Sequence, residues 1–183
     1  MGDGGQQLYS RDAFDLEDAV HIRCMDNFRS PRKVVNMINT LGLSKERVIA
    51  RSAYMGETPH FYTYAQGEVS SLTAINQCLK QLWEDGYQPE QVAVVSFHGV
   101  KNSEALRQET LGGYKTKRFS GYDTSGNALW TEGALLVESV YRFKGQSMPV
   151  VVLCEVDFEE LGPREMRKLF VGLTRAQIRV DVV

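Results

Sequence analysis

The sequence predicts an α/β fold of three layers, in which helices cover a mostly parallel sheet. Strand-like and helix-like stretches alternate along the chain. Residues 91–97 contain four consecutive apolar residues, Val92 to Val95, which is typical of a strand buried on both faces. Between Leu72 and Leu82, leucine and isoleucine recur at helical spacing before Gly86, which predicts an amphipathic helix.

The first part of the chain predicts a strand at 20–24 followed by a helix. Ser30 is expected to cap that helix with its hydroxyl, and Pro31 to occupy the first helical position, where a missing N–H costs nothing. Gly42 is placed to end the helix. Its apolar face is predicted to consist of Val34, Val35, Ile38 and Leu41.

The remaining elements follow the same alternation. Strands are predicted at 60–65 and 149–153, and the last strand alternates Ile178, Val180 and Val182 with polar residues. Gly162-Pro163 opens the last helix. Residues 107–134 are rich in glycine and serine and too short for a domain, which needs roughly 50 residues, so we expect a loop or small insertion. The 183 residues are therefore predicted to form one domain.

Composition excludes several classes of protein. The formal charge of −2 gives no bulk attraction to nucleic acid, so any DNA contact needs a local patch. No apolar run reaches the roughly 18 residues of a membrane span, and no signal peptide pattern is present, so we expect a cytoplasmic location and no membrane partner. The three cysteines form no CxxC pair, and the three histidines are scattered, so no metal site is predicted.

Four short motifs occur in a fixed order: GDGGQQLY at 2–9, NFRS at 27–30, FKGQSMPVVVL at 143–153 and FVGLTRA at 170–176. As an ordered set they resemble motifs III to VI of UvrD/Rep-type superfamily 1 DNA helicases. The resemblance implies a C-terminal, second RecA-like motor domain. No Walker A loop is present: Gly113-Tyr114-Lys115-Thr116 fails the G-x-x-x-x-G-K-[ST] spacing.

The resemblance assigns nucleotide contacts to two motifs. In NFRS, Arg29 is expected to emerge at the carboxyl end of a strand and to contact the γ-phosphate, and Phe28 to stack on adenine. In FVGLTRA, Arg175 is expected to be the arginine finger, which is worth roughly 10³–10⁵ in rate in such enzymes. The alternatives are a surface arginine for Arg29 and a cation at a helix C-terminus for Arg175.

The third motif, extended back to Glu138 as ESVYRFKGQSMPVVVL, is expected to meet both DNA and nucleotide. Ser139, Tyr141 and Lys144 are assigned to DNA, and Gly145 and Ser147 to the nucleotide, since glycine permits close backbone approach. Ser147 stands where the family usually has an acidic residue, which departs from the ribose-contacting pattern.

The first motif is expected to connect the two ligands. Gln6 is assigned to the γ-phosphate, and Tyr9 to a base, with stacking worth about 1–3 kcal/mol. Arg11 stands where the family has a stacking tryptophan.

Together these motifs predict a domain that works with a partner. ATP with Mg²⁺ would be held mainly by an N-terminal RecA-like domain of the same parent protein, and the substrate would be single-stranded DNA. Both arginines are expected to face one shared crevice, and the isolated fragment to be inactive. Two alternatives stay open: a degenerate, non-catalytic RecA-like interaction or DNA-binding module, and a doubly wound small-molecule domain, for which no glycine-rich fingerprint occurs.

Overall fold

A computed structural model describes residues 25–64 and 70–183 of the chain. The helices are α1 (Arg32–Thr40), α2 (Ser71–Glu84), α3 (Val140–Phe143) and α4 (Pro163–Leu173). The strands are β1 (Asp26–Asn27), β2 (Ile49–Ala50), β3 (His60–Phe61), β4 (Val92–Ser96), β5 (Thr110–Leu111), β6 (Tyr114–Lys117), β7 (Phe119–Tyr122), β8 (Ala128–Trp130), β9 (Leu135–Ser139), β10 (Met148–Cys154) and β11 (Ala176–Val182).

The central sheet has seven strands in the order β3-β11-β10-β4-β9-β6-β5. Every neighbouring pair is parallel except β5–β6, which is an antiparallel hairpin. Gly112 and Gly113 form its two-residue turn with positive φ angles of 57° and 87°, a conformation that favours glycine. The lysine and threonine that follow lie in β6 and not in a phosphate-binding loop.

Helices cover both faces of this sheet, so the predicted three-layer α/β architecture is confirmed. On one face, α1, α3 and α4 pack with Ala93, Val95 and Val151. On the other face, α2 packs with Val92 and Val94. Because side chains alternate along a strand, β4 contributes to both cores, and all five of its residues are buried.

Most helix limits follow the sequence signals. Helix α2 is capped by Ser70, whose hydroxyl accepts from the Thr73 amide at 3.2 Å, and Gly86 follows its end with φ +91°. Helix α4 begins with Pro163 in its first turn and buries Leu169, Phe170 and Leu173.

The start of α1 differs from its prediction. The helix begins at Arg32, Pro31 is the N-cap residue, and no side chain caps it. The Ser30 hydroxyl instead accepts from the Asn27 side-chain amide at 3.2 Å, while Asn27 Oδ1 accepts from the backbone amides of Arg29 and Ser30. This asparagine turn competes for the hydroxyl that was expected to cap the helix. Leu41, predicted to be inward, is 39% exposed.

Two stretches are shorter or more ordered than predicted. Of the strand expected at 60–65, whose last residue lies outside the described ones, only His60 and Phe61 form β3, and they pair with the end of β11. Residues 107–134 contain β5 to β8 rather than a plain loop, with β6 joined to β9 in the main sheet and β7–β8 forming a separate hairpin. In the described part of the chain, no helix is long and apolar enough to span a membrane.

Candidate functional site

The turn after α3 and the residues after α4 meet where β10 and β11 begin. The Met148 amide donates to the Arg175 carbonyl at 3.1 Å, and the Gln177 side-chain amide donates to Ser147 Oγ at 3.2 Å. This contact brings Gly145, Ser147 and Arg175 to one place, which we call the amino end of the sheet. Parallel pairing of β10 with β11 causes it, because the residues that precede the two strands are then neighbours.

Arg29 lies near the amino end of the sheet, because the segment 54–57 connects the start of α1 to β11. The amides of Arg32 and Lys33 donate to the carbonyls of Tyr54 and Met55, at 3.1 and 3.0 Å. Two residues on, the Glu57 amide donates to the Ile178 carbonyl at 3.1 Å. The segment thus joins the start of α1, just after Arg29, to β11, just after Arg175.

Close contact at Gly56 tightens this junction. A Cβ on Gly56 would lie 2.3 Å from Pro31 Cβ and 3.0 Å from the Ile178 carbonyl oxygen, and its φ of +73° favours glycine. The Pro31 ring before α1 and the Ile178 carbonyl of β11 are therefore both packed closely against the backbone of Gly56.

The side chains of NFRS face solvent. Phe28 is 69% exposed, and Arg29 is exposed, with no ion pair or side-chain hydrogen bond to any residue of 25–64 or 70–183. Arg29 follows the end of β1, which is not the strand predicted at 20–24, and β1 pairs with β2 in a small parallel sheet outside the seven-stranded one. The rule that ligands bind at the carboxyl ends of a parallel sheet therefore does not account for its position.

Arg175 is buried, with 3% of its surface exposed. Helix α4 ends at Leu173 and Thr174 is its C-cap residue, so Arg175 links the helix to β11. Its Nη2 donates to Thr174 Oγ1 at 3.2 Å, and Thr174 Oγ1 donates back to the Phe170 carbonyl at 2.8 Å. A guanidinium in this position is favoured by the negative end of the helix dipole.

Position 145 needs glycine because of its backbone conformation, and not because a larger side chain would lack space. Its φ is +91°, yet a Cβ there would meet nothing within 4 Å. The glycine therefore permits the turn between α3 and β10, in which the Gln146 amide donates to the Phe143 carbonyl at 3.0 Å.

The residues assigned to DNA lie along β9 and α3. Ser139 is buried at the carboxyl end of β9, beside Ser96 of β4. Tyr141 is half-buried in α3, and its hydroxyl accepts from Arg164 Nη2 at 2.9 Å. Lys144 follows α3 and is exposed. Ser139 and the nucleotide residues therefore lie at opposite ends of the sheet.

Acidic residues at the carboxyl end of β10 are engaged in structure. Glu155 is buried and has a φ of +59°, a strained value for a residue other than glycine. Its carboxylate accepts from the Ser96 hydroxyl and from the amides of Glu104 and Ala105, the latter two at 2.6 and 3.1 Å. Asp157 pairs with His98 at 2.7 Å. No group of potential metal ligands was found among the described residues.

A buried charge network centred on Arg179 was not predicted. Arg179 Nε donates to Asp181 Oδ1 at 2.9 Å, and Nη1 donates to Asp85 Oδ2 at 2.6 Å and to Glu57 Oε2 at 3.4 Å. Burial alone would lower the pKa of Arg179, but the hydrogen bonds to Asp181 and Asp85 raise it above its usual value. The hydrogen bond from Arg179 lowers the pKa of Asp85. The sequence signal that could have predicted this network is the presence of two charged residues, Arg179 and Asp181, inside an otherwise apolar strand.

Two assigned residues belong to a part of the chain that has no structural description. Gln6 and Tyr9 of the first motif lie outside the described residues, as does the strand predicted at 20–24.

Residues 134–183 match the family model of the UvrD-like helicase C-terminal domain. The predicted resemblance to the C-terminal domain of UvrD-like helicases is confirmed. A relative, one component of the ATP-dependent helicase/nuclease of Lactiplantibacillus plantarum, is 28% identical over 135 residues, covering 67% of this chain. The chain spans 11% of the length of that relative.

The fold is shared with a solved structure, the C-terminal domain of a possible DNA helicase from Lactobacillus plantarum WCFS1. The match has a TM-score of 0.56 at 15% identity and covers 86% of each chain. At this identity the likeness concerns the fold alone, and the predicted RecA-like α/β fold is confirmed.

Proposed function

We propose that this chain is the C-terminal motor domain of an ATP-dependent DNA helicase or translocase. The observation that carries the proposal is the meeting of the third and fourth motifs at the amino end of the sheet, through the Met148–Arg175 hydrogen bond. The start of α1, with Arg29 beside it, is tied to the same end through the segment 54–57. A single ligand at this end can therefore be reached by residues from three separate motifs.

The residues at the amino end fit a nucleoside triphosphate. The exposed Arg29 guanidinium has no partner among the described residues and is available to a phosphate, for which its planar donor set is suited. The exposed Phe28 ring fits an adenine base. In this proposal ATP and Mg²⁺ are bound mainly by an N-terminal RecA-like domain of the parent protein. Arg29, Arg175 and Gln6 sense the γ-phosphate, while Gly145 and Ser147 line the site.

Closure of the two domains supplies the mechanism. When closure brings the terminal phosphate to the arginines, they stabilise the negative charge that develops during transfer. After hydrolysis that attraction weakens and the domains separate. Ser139, Tyr141 and Lys144 hold single-stranded DNA during each step, so a cycle of closure and opening moves the protein along the strand.

ATPase measurements on the parent protein with single-stranded DNA test this proposal. Arg29→Ala and Arg175→Ala are each expected to lower kcat by about 10³-fold or more, the effect of losing such an arginine. Arg47→Ala is the matched control, since Arg47 is an exposed arginine in the turn beyond the other end of α1. The proposal is wrong if the 183-residue chain alone hydrolyses ATP and Arg175→Ala abolishes that turnover.

The burial of Arg175 favours a second candidate, a non-catalytic RecA-like module used for interaction or DNA binding. Arg175 is 3% exposed and donates a hydrogen bond to Thr174, which is the arrangement expected of an arginine that stabilises the local fold. This candidate predicts that Arg175→Lys and Arg29→Ala leave the parent's ATPase unchanged. It also predicts that Arg175→Lys lowers the melting temperature.

A further inference from the structure

The β7–β8 hairpin carries a cluster of aromatic rings. Phe119 makes edge-to-face contacts with Tyr122 and Trp130, with ring centroids 4.9 and 5.9 Å apart. The turn is fixed by Asp123, whose carboxylate accepts from the amides of Ser125 and Asn127, both at 2.8 Å. The hairpin is thus an ordered support for its rings.

Much of this apolar surface faces solvent. Tyr122 is 68% exposed and Leu129 is 46% exposed. An isolated two-stranded hairpin is only marginally stable in water, so burying these groups inward would have stabilised it. Their outward placement indicates a surface that meets another molecule.

Cations are interleaved with the rings. The Arg142 guanidinium lies 3.6 Å from the centroid of Phe119, and Lys117 Nζ lies 6.0 Å from that of Trp130. Between residues 114 and 144 the chain has five basic residues against three acidic ones, although its whole formal charge is −2. The basic residues are Lys115, Lys117, Arg118, Arg142 and Lys144, and the acidic ones are Asp123, Glu132 and the buried Glu138.

This cluster is continuous with the residues assigned to DNA. Arg142 belongs to α3, between Tyr141 and Phe143, and two residues before Lys144. Through its contact with Phe119 it joins the hairpin to α3. A strand bound along α3 therefore passes the aromatic cluster.

We propose that the β7–β8 hairpin, together with Arg142, is a base-stacking platform for single-stranded DNA. The exposed Tyr122 ring, supported by the half-buried Phe119 and Trp130, offers its face to an unpaired base, and the interleaved cations neutralise the backbone phosphates. The platform needs no base-specific hydrogen bond, so it binds any sequence. It rests on the proposed function, to which it adds a hairpin that lies outside the four helicase motifs.

Fluorescence anisotropy of a labelled oligo(dT) of about 16 nucleotides, titrated with the full 183-residue chain, tests the platform. Tyr122→Ala is expected to weaken binding between about 5-fold and 100-fold, the effect of losing one stacked base. Tyr122→Phe is expected to restore binding, since the ring remains. Phe61→Ala is the matched control, because Phe61 is 60% exposed on β3, at the opposite edge of the sheet.

Two further probes separate stacking from charge. An abasic oligonucleotide of equal length keeps the phosphates and lacks the bases, so it is expected to bind at least about fivefold more weakly. Arg142→Gln is expected to reduce the slope of log K against log salt by about one. Duplex DNA of the same length, whose bases are stacked internally, is expected to bind more weakly than oligo(dT).

Several results would overturn the inference. They are equal affinity for the abasic strand, unchanged binding by Tyr122→Ala, or no binding of any DNA by the chain. Self-association of the chain that Tyr122→Ala abolishes, without DNA binding, would make the hairpin a protein contact instead. None of these results decides the proposed function, which the ATPase of the parent tests separately. If Arg29→Ala and Arg175→Ala leave the parent's ATPase unchanged while oligo(dT) binding is intact, the motor function is refuted and the proposed stacking platform still stands.

Discussion

Replacing Arg179 by methionine gives the sharpest test of how this fold is held together. Arg179 is 2% exposed and is surrounded by the carboxylates of Asp181, Asp85 and Glu57, with His60 Nδ1 2.8 Å from Nη2. Among the carboxylates, Asp181 is completely buried, whereas Asp85 and Glu57 reach solvent. The main consequence of Arg179→Met is therefore one buried carboxylate left without its guanidinium, with the half-exposed His60 Nδ1, 3.4 Å from Asp181 Oδ1, as its remaining basic neighbour.

The magnitude follows from that burial. Removing one partner of a buried ion pair costs about 3–5 kcal/mol, because the remaining charge is neither hydrated nor compensated. Cys78 Sγ lies 3.6 Å from Asp181 Oδ2 and is too weak a donor to replace a guanidinium. For a chain of this length, 1 kcal/mol corresponds to roughly 2–4 °C in melting temperature, so we expect a loss of about 10 °C.

Urea unfolding followed by far-UV circular dichroism measures the change, with thermal unfolding as a second probe. Arg51→Met is the matched control: its pair with Asp26, at 3.0 Å, is exposed, and its loss is expected to cost at most about 1 kcal/mol. The double variant Arg179→Met/Asp181→Leu is expected to recover most of the stability, since apolar groups can replace a buried pair. A loss below about 1 kcal/mol for Arg179→Met, or no recovery in the double variant, would refute this reasoning.

Three further predictions concern single residues. Gly145→Ala is expected to lower the free energy of unfolding by about 1–2 kcal/mol, measured in urea, because alanine is strained at a φ of +91°; an unchanged midpoint would contradict this. Leu173→Ala is expected to cost about 2–5 kcal/mol in the same assay, since its side chain is fully buried under the sheet, and a loss under about 1 kcal/mol would count against it. Burial raises the pKa of Glu138, so its ionisation weakens the fold as pH rises from the unfolded pKa through the folded one. Relative to the unsubstituted chain, Glu138→Gln is therefore expected to gain stability as pH rises above about 4, the usual pKa of an unfolded glutamate, in a series of thermal melts; a constant difference would show the effect to be absent.

The amphipathic helices could be predicted from sequence because their signals are local. In α2, apolar residues at helical spacing and a terminal glycine lie within one short stretch, from Leu72 to Gly86. The buried strands β4 and β10 carry continuous apolar runs, which few other environments permit. These patterns, together with the ordered motifs, were enough to predict the α/β class and the likeness to a helicase C-terminal domain.

Other features depended on contacts between residues far apart in the chain, or on competition between near ones. Ser30 was predicted as a helix cap, but Asn27 competes for its hydroxyl, and two equally local interactions cannot be ranked from sequence. The glycine- and serine-rich stretch around the β7–β8 hairpin resembled a loop because β7 and β8 are too short to show a period. Pairing between them, and the packing of Arg142 on Phe119, supplies the order that propensity lacks.

By itself, the sequence determined that α2 and α4 are helices, that β4 and β10 are buried strands and which motifs occur in which order, because those properties depend on neighbouring residues. Only the tertiary structure decided that the backbones of Met148 and Arg175 are hydrogen-bonded. It also decided that the segment 54–57 connects the start of α1 to β11 by backbone hydrogen bonds. It also decided that Arg179 is enclosed by acids. The physical reason is that the order and register of parallel strands are set by the whole core. That order determines which distant residues become neighbours.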